Sequence, residues 1–213
     1  MGTMVDGHVV VRQALVCDGS GNVPLQIHTP LSDDVVAGLH AGDAVSISGT
    51  LYVARDAAHK RLVEALAAGQ PLPFDLRGQV IYYMGPAPAP PGWPIGSAGP
   101  TTSGRMDPYA PALLAAGLKG MIGKGGRSQV VRQAMQEHRA VYLACVGGVA
   151  ALIARTVRAA EVIAYPELGA EALRRLEVTA LPALVIDDIY GADAYEMGRE
   201  RYRGWRFSHP DAG

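Results

Sequence analysis

Apolar and polar positions change period along this chain from one block to the next. Val80–Met84 and Val141–Cys145 are continuous apolar runs bounded by turn residues, the pattern of strands buried on both faces. Apolar residues recur at helical spacing from Ala57 to Ala68, ahead of Gly69, and from about Arg127 to His138. Ser32 reads as the cap of a short helix to about Leu39, with Asp33 and Asp34 in its first turn. Further helices are predicted after Arg105, from Val149 to about Arg155 and over Glu167–Leu176. Further strands are predicted near Gly120–Ile122, Val162–Ala164 and Ala183–Ile186. Residues 1–30 read as an extended or β-rich entry segment. Gly49-Thr50, set between Ala44–Ser48 and Leu51–Ala54, predicts a tight hairpin and with it a second, smaller sheet. The stretch Gly85–Pro100 holds six prolines and four glycines, so it is a loop, packed on the surface through Trp93 and Ile95. Strands alternating with helices argue for an α/β fold with a mainly parallel central sheet and helices packed outside.

Composition narrows the function classes. The chain has 213 residues, a formal net charge of -1 and 49% apolar residues, so no global field points to nucleic acid. No apolar run approaches the roughly 20 residues that span a membrane, and the start lacks the basic and apolar regions of a signal peptide. A cytoplasmic location is the expectation. The two cysteines, Cys17 and Cys145, form no CxxC and cannot by themselves hold a four-iron cluster, which wants three or four thiolates. The bland reading of Cys145 is a buried free thiol. Arg199, Arg201, Arg203 and Arg206, with Tyr202 and Trp205, form a C-terminal tail that reads as a solvated or partner-contact arm ahead of an RNA-binding one.

Residues 99–128, GPTTSGRMDPYAPALLAAGLKGMIGKGGRS, carry the most chemistry. Thr101, Thr102 and Ser103 precede a helical run that carries Arg105. Lys124 lies in a glycine loop with Gly125 before a second helical run that begins at Arg127. Loops that open helices offer free backbone N–H groups and a positive dipole end, and with Arg105, Lys124 and Arg127 they suit a carboxylate or phosphate. Arg55-Asp56-Ala57-Ala58-His59 follows a strand and opens a helix in the same way. If the three loops meet at the carboxyl ends of their strands, they present three cations and two hydroxyls to one small anion. Each residue also has a plainer reading. Arg55 can pair with Asp56, His59 can be a satisfied core or capping histidine, the threonines can be caps, and Lys124 can be a solvated loop lysine.

The strings GPTTSGRMD and KGMIGKGGRS resemble the signature of the β subunit, or C-terminal half, of class I iron–sulfur-dependent fumarate hydratase. The β subunit of L(+)-tartrate dehydratase is a close relative of that module. TPLSDD at 29–34, GTLYVARDAAHKRL at 49–62 and LPFDLRGQVIYYMGPAPAPPG at 72–92 extend the resemblance, as do VYLACVGGVAALIA at 141–154 and AYPELGAEALRRLEV at 164–178. It covers roughly residues 28–196, leaving residues 1–27 as an N-terminal extension and 197–213 as a tail. The chain has Ala54 where the family usually has Gly before the Arg-Asp pair. The resemblance implies a swivelling β/β/α domain that works with an α subunit, whose thiolates ligate a 4Fe-4S cluster; no metal is held by this chain. It also implies a heterotetramer, or a β homodimer when isolated. Carried over by motif, Arg55, Arg105, Thr102, Gly125 and Lys124 bind a dicarboxylate, Thr101 with Lys124 does catalytic work as the base side, and Asp56 and His59 support them from behind. The implied reaction is the reversible hydration of fumarate to (S)-malate. The alternatives are tartrate dehydration and a non-catalytic dicarboxylate-binding or assembly module.

Overall fold

The computed structural model describes residues 23–145 and 150–203. Five strands lie parallel and side by side: β1 (Leu25–Thr29), β2 (Ala44–Val53), β3 (Val80–Tyr82), β4 (Gly120–Gly123) and β5 (Val141–Ala144). Two antiparallel strands complete a seven-stranded mixed sheet, β6 (Val157–Ala164) and the long β7 (Leu173–Asp187). The order is β1-β2-β3-β4-β5-β7-β6, and β7 also pairs along β2. That extra pairing closes β2, β3, β4, β5 and β7 into a ring. Helices α1 (Asp33–Ala37), α2 (Asp56–Ala67), α3 (Ala110–Ala115), α4 (Gln129–His138), α5 (Ala150–Thr156) and α6 (Ala194–Tyr202) connect and follow the strands.

The unbroken apolar runs have a physical cause. Val80, Tyr82 and Met84 point to one core and Ile81 and Tyr83 to the other; Val141 and Leu143 oppose Tyr142 and Ala144 in the same way. The first core gathers the inward residues of β2 and β7 with Ile95, Ile153 and Val157. The second is roofed by Leu62 of α2, Leu113 and Leu114 of α3, and Val131 and Met135 of α4. Both faces of β3, β4 and β5 are therefore dry, and polar alternation has no place there. Ser32 caps α1 by accepting from the Val35 amide, and Ser128 does the same for α4 through Val131, as Ser and Thr do at helix starts.

Several expectations are corrected. Gly49-Thr50 is not a hairpin: β2 runs through it as one ten-residue strand. Gly49 has φ +110° at a bulge against β7, and a Cβ there would sit 2.7 Å from Thr29 Oγ1 and 2.9 Å from its carbonyl oxygen. Its glycine serves the close approach of β1, not a turn. The separate second sheet goes with the hairpin, since all seven strands belong to one sheet. The helix expected over Glu167–Leu176 is a 3-10 turn, Pro166–Glu171, broken by Gly169 at φ 59°. Leu173, Leu176 and Val178 then enter β7, whose pairing with β2 and β6 outweighs local helical spacing. The run after Arg105 is a 3-10 turn, Ser103–Met106, followed by α3. In the proline-rich loop Ile95 is buried but Trp93 stays 46% exposed. Cys17, Val146-Gly147-Gly148, Trp205 and Arg206 lie outside the described residues. Among the described residues no helix is long and apolar enough to cross a membrane.

Candidate active site

The C-terminal ends of β2, β3 and β4 are neighbours, and the loops that leave them carry the residues singled out above. Beyond Tyr82 the chain keeps strand pairing: the Tyr83 amide donates to Ile122 O at 2.7 Å, and the Thr101 amide donates to Tyr83 O at 2.7 Å. The Lys124 amide donates to Thr101 O at 3.1 Å and the Ser103 amide to Lys124 O at 2.9 Å, with Thr102 bridged to Lys124. The Thr101 and Lys124 loops are thus zipped by backbone bonds, which fixes both side chains relative to the sheet. A Cβ on Gly123 would overlap Ser103 Oγ, so only glycine permits this approach. Gly125, at φ +80°, turns its carbonyl to accept from the Tyr142 hydroxyl at 2.8 Å, and Tyr142 also meets Ser103 Oγ at 2.8 Å.

The third loop joins through charge. Arg105 Nε donates to Asp56 Oδ1 at 2.9 Å, tying the turn after Thr102 to the start of α2. Arg55 does not pair with Asp56. Its Nη2 lies 3.3 Å from Glu171 Oε1, while Glu171 Oε2 accepts from the Ala57 amide at 3.1 Å. Gly85 gives Arg55 room, since a Cβ there would stand 2.7 Å from its Nη1. Glu171 was missed because it lies 114 residues from Ala57 in the chain and carries no local signal. Thr102, Arg105 and Lys124 are exposed, Thr101 is half-buried, and Lys124 has no carboxylate within 4.0 Å among the described residues.

Two features differ from the expected anion cradle. The helix N-termini are already filled from within: Asp107 Oδ2 accepts from the Ser128 amide at 2.8 Å, and Glu171 serves α2 as just described. What the loops present here is therefore side-chain cations, with the Ser128 and Ala57 amides already engaged. Arg127 turns inward. Its side chain is fully buried, donates from Nε to Asp107 Oδ1 at 2.8 Å and from Nη1 to the Tyr83 hydroxyl at 3.2 Å, and lies over the Tyr83 and Tyr142 rings. Burial opposes its charge, but Tyr83 and Asp107 overcome that and hold the guanidinium above its ordinary range.

His59 is buried behind this network, edge-on to Tyr83. Its Nδ1 lies 2.9 Å from Arg55 O. A carbonyl can only accept, so the neutral ring keeps its proton on Nδ1. Burial pulls its pKa down from 6.5 to about 4, so between those pH values the ring stays neutral where the unfolded chain would protonate it. A depressed histidine costs no stability above pH 6.5 and progressively more as pH falls toward 4, reaching about 3 kcal/mol by linkage. Asp187 works in the opposite sense: burial and Asp193 push it up to about 7, so its contribution is lost as pH rises. The difference in unfolding free energy between wild type and His59→Gln removes the Asp187 term common to both. That difference is expected to shrink between pH 7 and pH 4.5 in chemical-denaturation titrations; a pH-independent difference would refute the neutral buried ring.

Among the described residues the donor set does not fit a four-iron cluster. Burial pushes the Cys145 thiol up to about 12, and the Sγ faces Pro182 O at 3.6 Å, so it is no thiolate. Among the described residues no three His, Cys, Asp or Glu side chains converge on a metal position.

The family model described as Fumarase C-terminus matches residues 11–198. The chain is 44% identical over 155 residues to an Escherichia coli K12 protein named fumarate hydratase class I, anaerobic, covering 72% of this chain and 28% of that protein. It is 42% identical over 155 residues to the Leishmania major protein named fumarate hydratase 1, mitochondrial, again 72% of this chain and 28% of the other. It is 37% identical over 164 residues to a Methanocaldococcus jannaschii protein named putative L(+)-tartrate dehydratase subunit beta, covering 74% of this chain and 84% of that one. The chain thus spans only about a third or less of the fumarate hydratases named here, but most of the tartrate dehydratase subunit.

Proposed function

This chain belongs to the Fumarase C-terminus family, and from that premise we propose that it is the β subunit of a heteromeric class I hydro-lyase that interconverts fumarate and (S)-malate. The observation that carries the reading is the joining of three loops at adjacent strand ends, by the Thr101–Lys124 backbone bonds and the Arg105–Asp56 ion pair. The open, cation-bearing surface there suits a small diacid that a second chain encloses. The swivelling β/β/α arrangement, a cytoplasmic location and a heterotetramer with the α chain belong to this proposal, as do the domain bounds 28–196 with flanking extension and tail.

Cluster ligation falls to that α chain, given the protonated Cys145, and the 4Fe-4S iron there supplies Lewis-acid chemistry at the substrate hydroxyl. This chain's residues do the rest. Arg55 and Arg105 grip carboxylate oxygens, where a planar guanidinium matches a carboxylate in two hydrogen bonds. Lys124 adds a charge that stabilises the aci-carboxylate formed as the C–H proton leaves, and Thr101, as the alkoxide that this charge favours, takes that proton and becomes the neutral hydroxyl. Thr102 and Gly125 shape the rim, while Asp56 and His59 hold the gripping residues in place.

Asp56→Asn is expected to loosen Arg105 and raise KM for the diacid about tenfold, with kcat nearly kept, because the lost bond orients a binding cation. Steady-state kinetics of the reconstituted enzyme would read this; a selective fall in kcat would contradict the assignment.

The overall test is anaerobic mixing with the cluster-bearing chain of the same organism, assayed for fumarate hydration and L-tartrate dehydration. Turnover only on mixing, with fumarate preferred, is the expected result. Tartrate is the second reading, favoured by a relative of whose length this chain covers 84%. Silence on both diacids with an intact cluster would leave a non-catalytic dicarboxylate-binding or assembly module.

A further inference from the structure

A surface outside the candidate site combines features seldom left unpartnered. The loop of residues 85–100 leans against β6 and the end of α5, and two adjoining hollows of about 330 and 430 Å³ open there, both touching Pro94. Proline and alanine side chains of the loop, with Ala160 and Val162 of β6, make the first largely apolar. Trp93 flanks the second, and Trp93, Val162 and Leu152 are 46%, 41% and 57% exposed. Three arginines edge the hollows: Arg174 the first, Arg155 and Arg158 the second. None has a carboxylate within 4.0 Å among the described residues, whereas neighbouring Arg175 pairs with Glu161 at 2.8 Å. The 85–100 loop and α5 contain no acidic residue, and Glu161 is the sole one in β6.

Arg174 is the most telling of the three. It is half-buried, Nη2 donates to Gly169 O at 2.8 Å, and its Nε is buried without a partner. Burial alone lowers its pKa, because nothing opposite compensates the charge. The surface also adjoins the candidate site. A Cβ added to Gly85 would meet both Arg55 Nη1 at 2.7 Å and the Ala170 carbonyl oxygen at 3.3 Å, and Ala170 lines the first hollow. The first hollow therefore adjoins the surroundings of Arg55, which a partner enclosing that residue would approach. Tryptophan and arginine over rigid apolar walls are the residues that carry most binding energy at protein interfaces. β6, at the end of the sheet order, has an outer edge with no strand partner among the described residues.

We propose that this face docks the cluster-bearing chain, which seats an apolar side chain beside Trp93 and Pro94 and sets carboxylates against Arg155, Arg158 and Arg174. The inference rests on the β-subunit reading and adds where, and with what chemistry, the partner binds.

The exposed pair Arg155→Glu/Arg158→Glu is the first variant, since neither side chain has a described partner to lose. Anaerobic titration of the cluster-bearing chain is expected to show about 100-fold weaker binding, and a flattened salt dependence, with wild-type turnover restored at saturating partner. Trp93→Ala is expected to weaken binding about tenfold or more with the salt dependence retained. Variants that bind like wild type, in a pair where wild type binds and is activated, overturn this surface alone. Wild type that neither binds nor gains activity overturns the β-subunit reading and the docking with it.

Discussion

Thr101→Ala is expected to lower kcat of the reconstituted enzyme by about 10²- to 10⁴-fold while KM moves less than about threefold, the size of effect a positioned base supplies. The reasoning starts from the backbone. Thr101 is held by its amide on Tyr83 O and by its carbonyl under the Lys124 amide, and neither bond involves the side chain. Alanine keeps both, so the loop geometry survives the change. The Thr101 hydroxyl has no protein hydrogen-bond partner among the described residues and stands half-buried at the mouth of the loop. It is therefore free for a ligand, unlike the neighbouring Ser103 hydroxyl, which Tyr142 engages in the core. An alcohol is a poor base in water, and a cation beside it favours the alkoxide. Lys124 is the cation whose backbone is tied to this loop, its amide donating to Thr101 O at 3.1 Å and its register partner being Thr102. Binding, in the proposed function, is assigned to Arg55 and Arg105, which the substitution leaves untouched. Thr101→Ser is expected to retain turnover within about tenfold, since the hydroxyl survives. A Thr101→Ala enzyme whose loss lies wholly in KM would sink the base role and make the residue a binding contact.

The same loops mark how far the sequence was legible. The strands at Val80 and Val141, helix α2 and the Ser32 cap follow from apolar spacing and capping chemistry, which are local. That the three polar loops meet stands in the sequence only as a condition, and the parallel strands satisfy it by placing their ends on one side. What spacing could not reveal is which charges are consumed inside the protein. Arg127 sits two residues past Gly125 and reads as one more surface cation, yet Asp107, twenty residues earlier, draws it beneath the loop. Glu171 occupies the amide at the start of α2 across more than a hundred residues. Gly49 failed as a turn signal for the same reason: the atom that demands glycine there is on Thr29, in another strand. Long-range partners, not local propensity, decided each of these positions.

Arg127→Met tests the most consequential of those inward turns. Methionine fills much of the aliphatic volume but leaves Asp107 Oδ1 and the Tyr83 hydroxyl facing no donor, and it removes a guanidinium stacked over two rings. Breaking a buried pair by deleting one member costs about 3–5 kcal/mol, because the other charge stays behind unpaired. For a chain of this length that corresponds to a fall in Tm of roughly 10 °C. The Ser128 amide bond to Asp107 softens the loss without cancelling it, since one amide replaces a cation poorly. Arg127→Met/Asp107→Leu is expected to recover part of the stability, as removing both partners leaves no orphaned charge. Calorimetry on the three proteins separates the possibilities. Were Arg127 instead a cation presented to the diacid, the single substitution would leave Tm nearly unchanged and raise KM. A large Tm loss that the double variant partly recovers identifies Arg127 as the buried tie beneath the Lys124 loop, and leaves the gripping of substrate to Arg55 and Arg105.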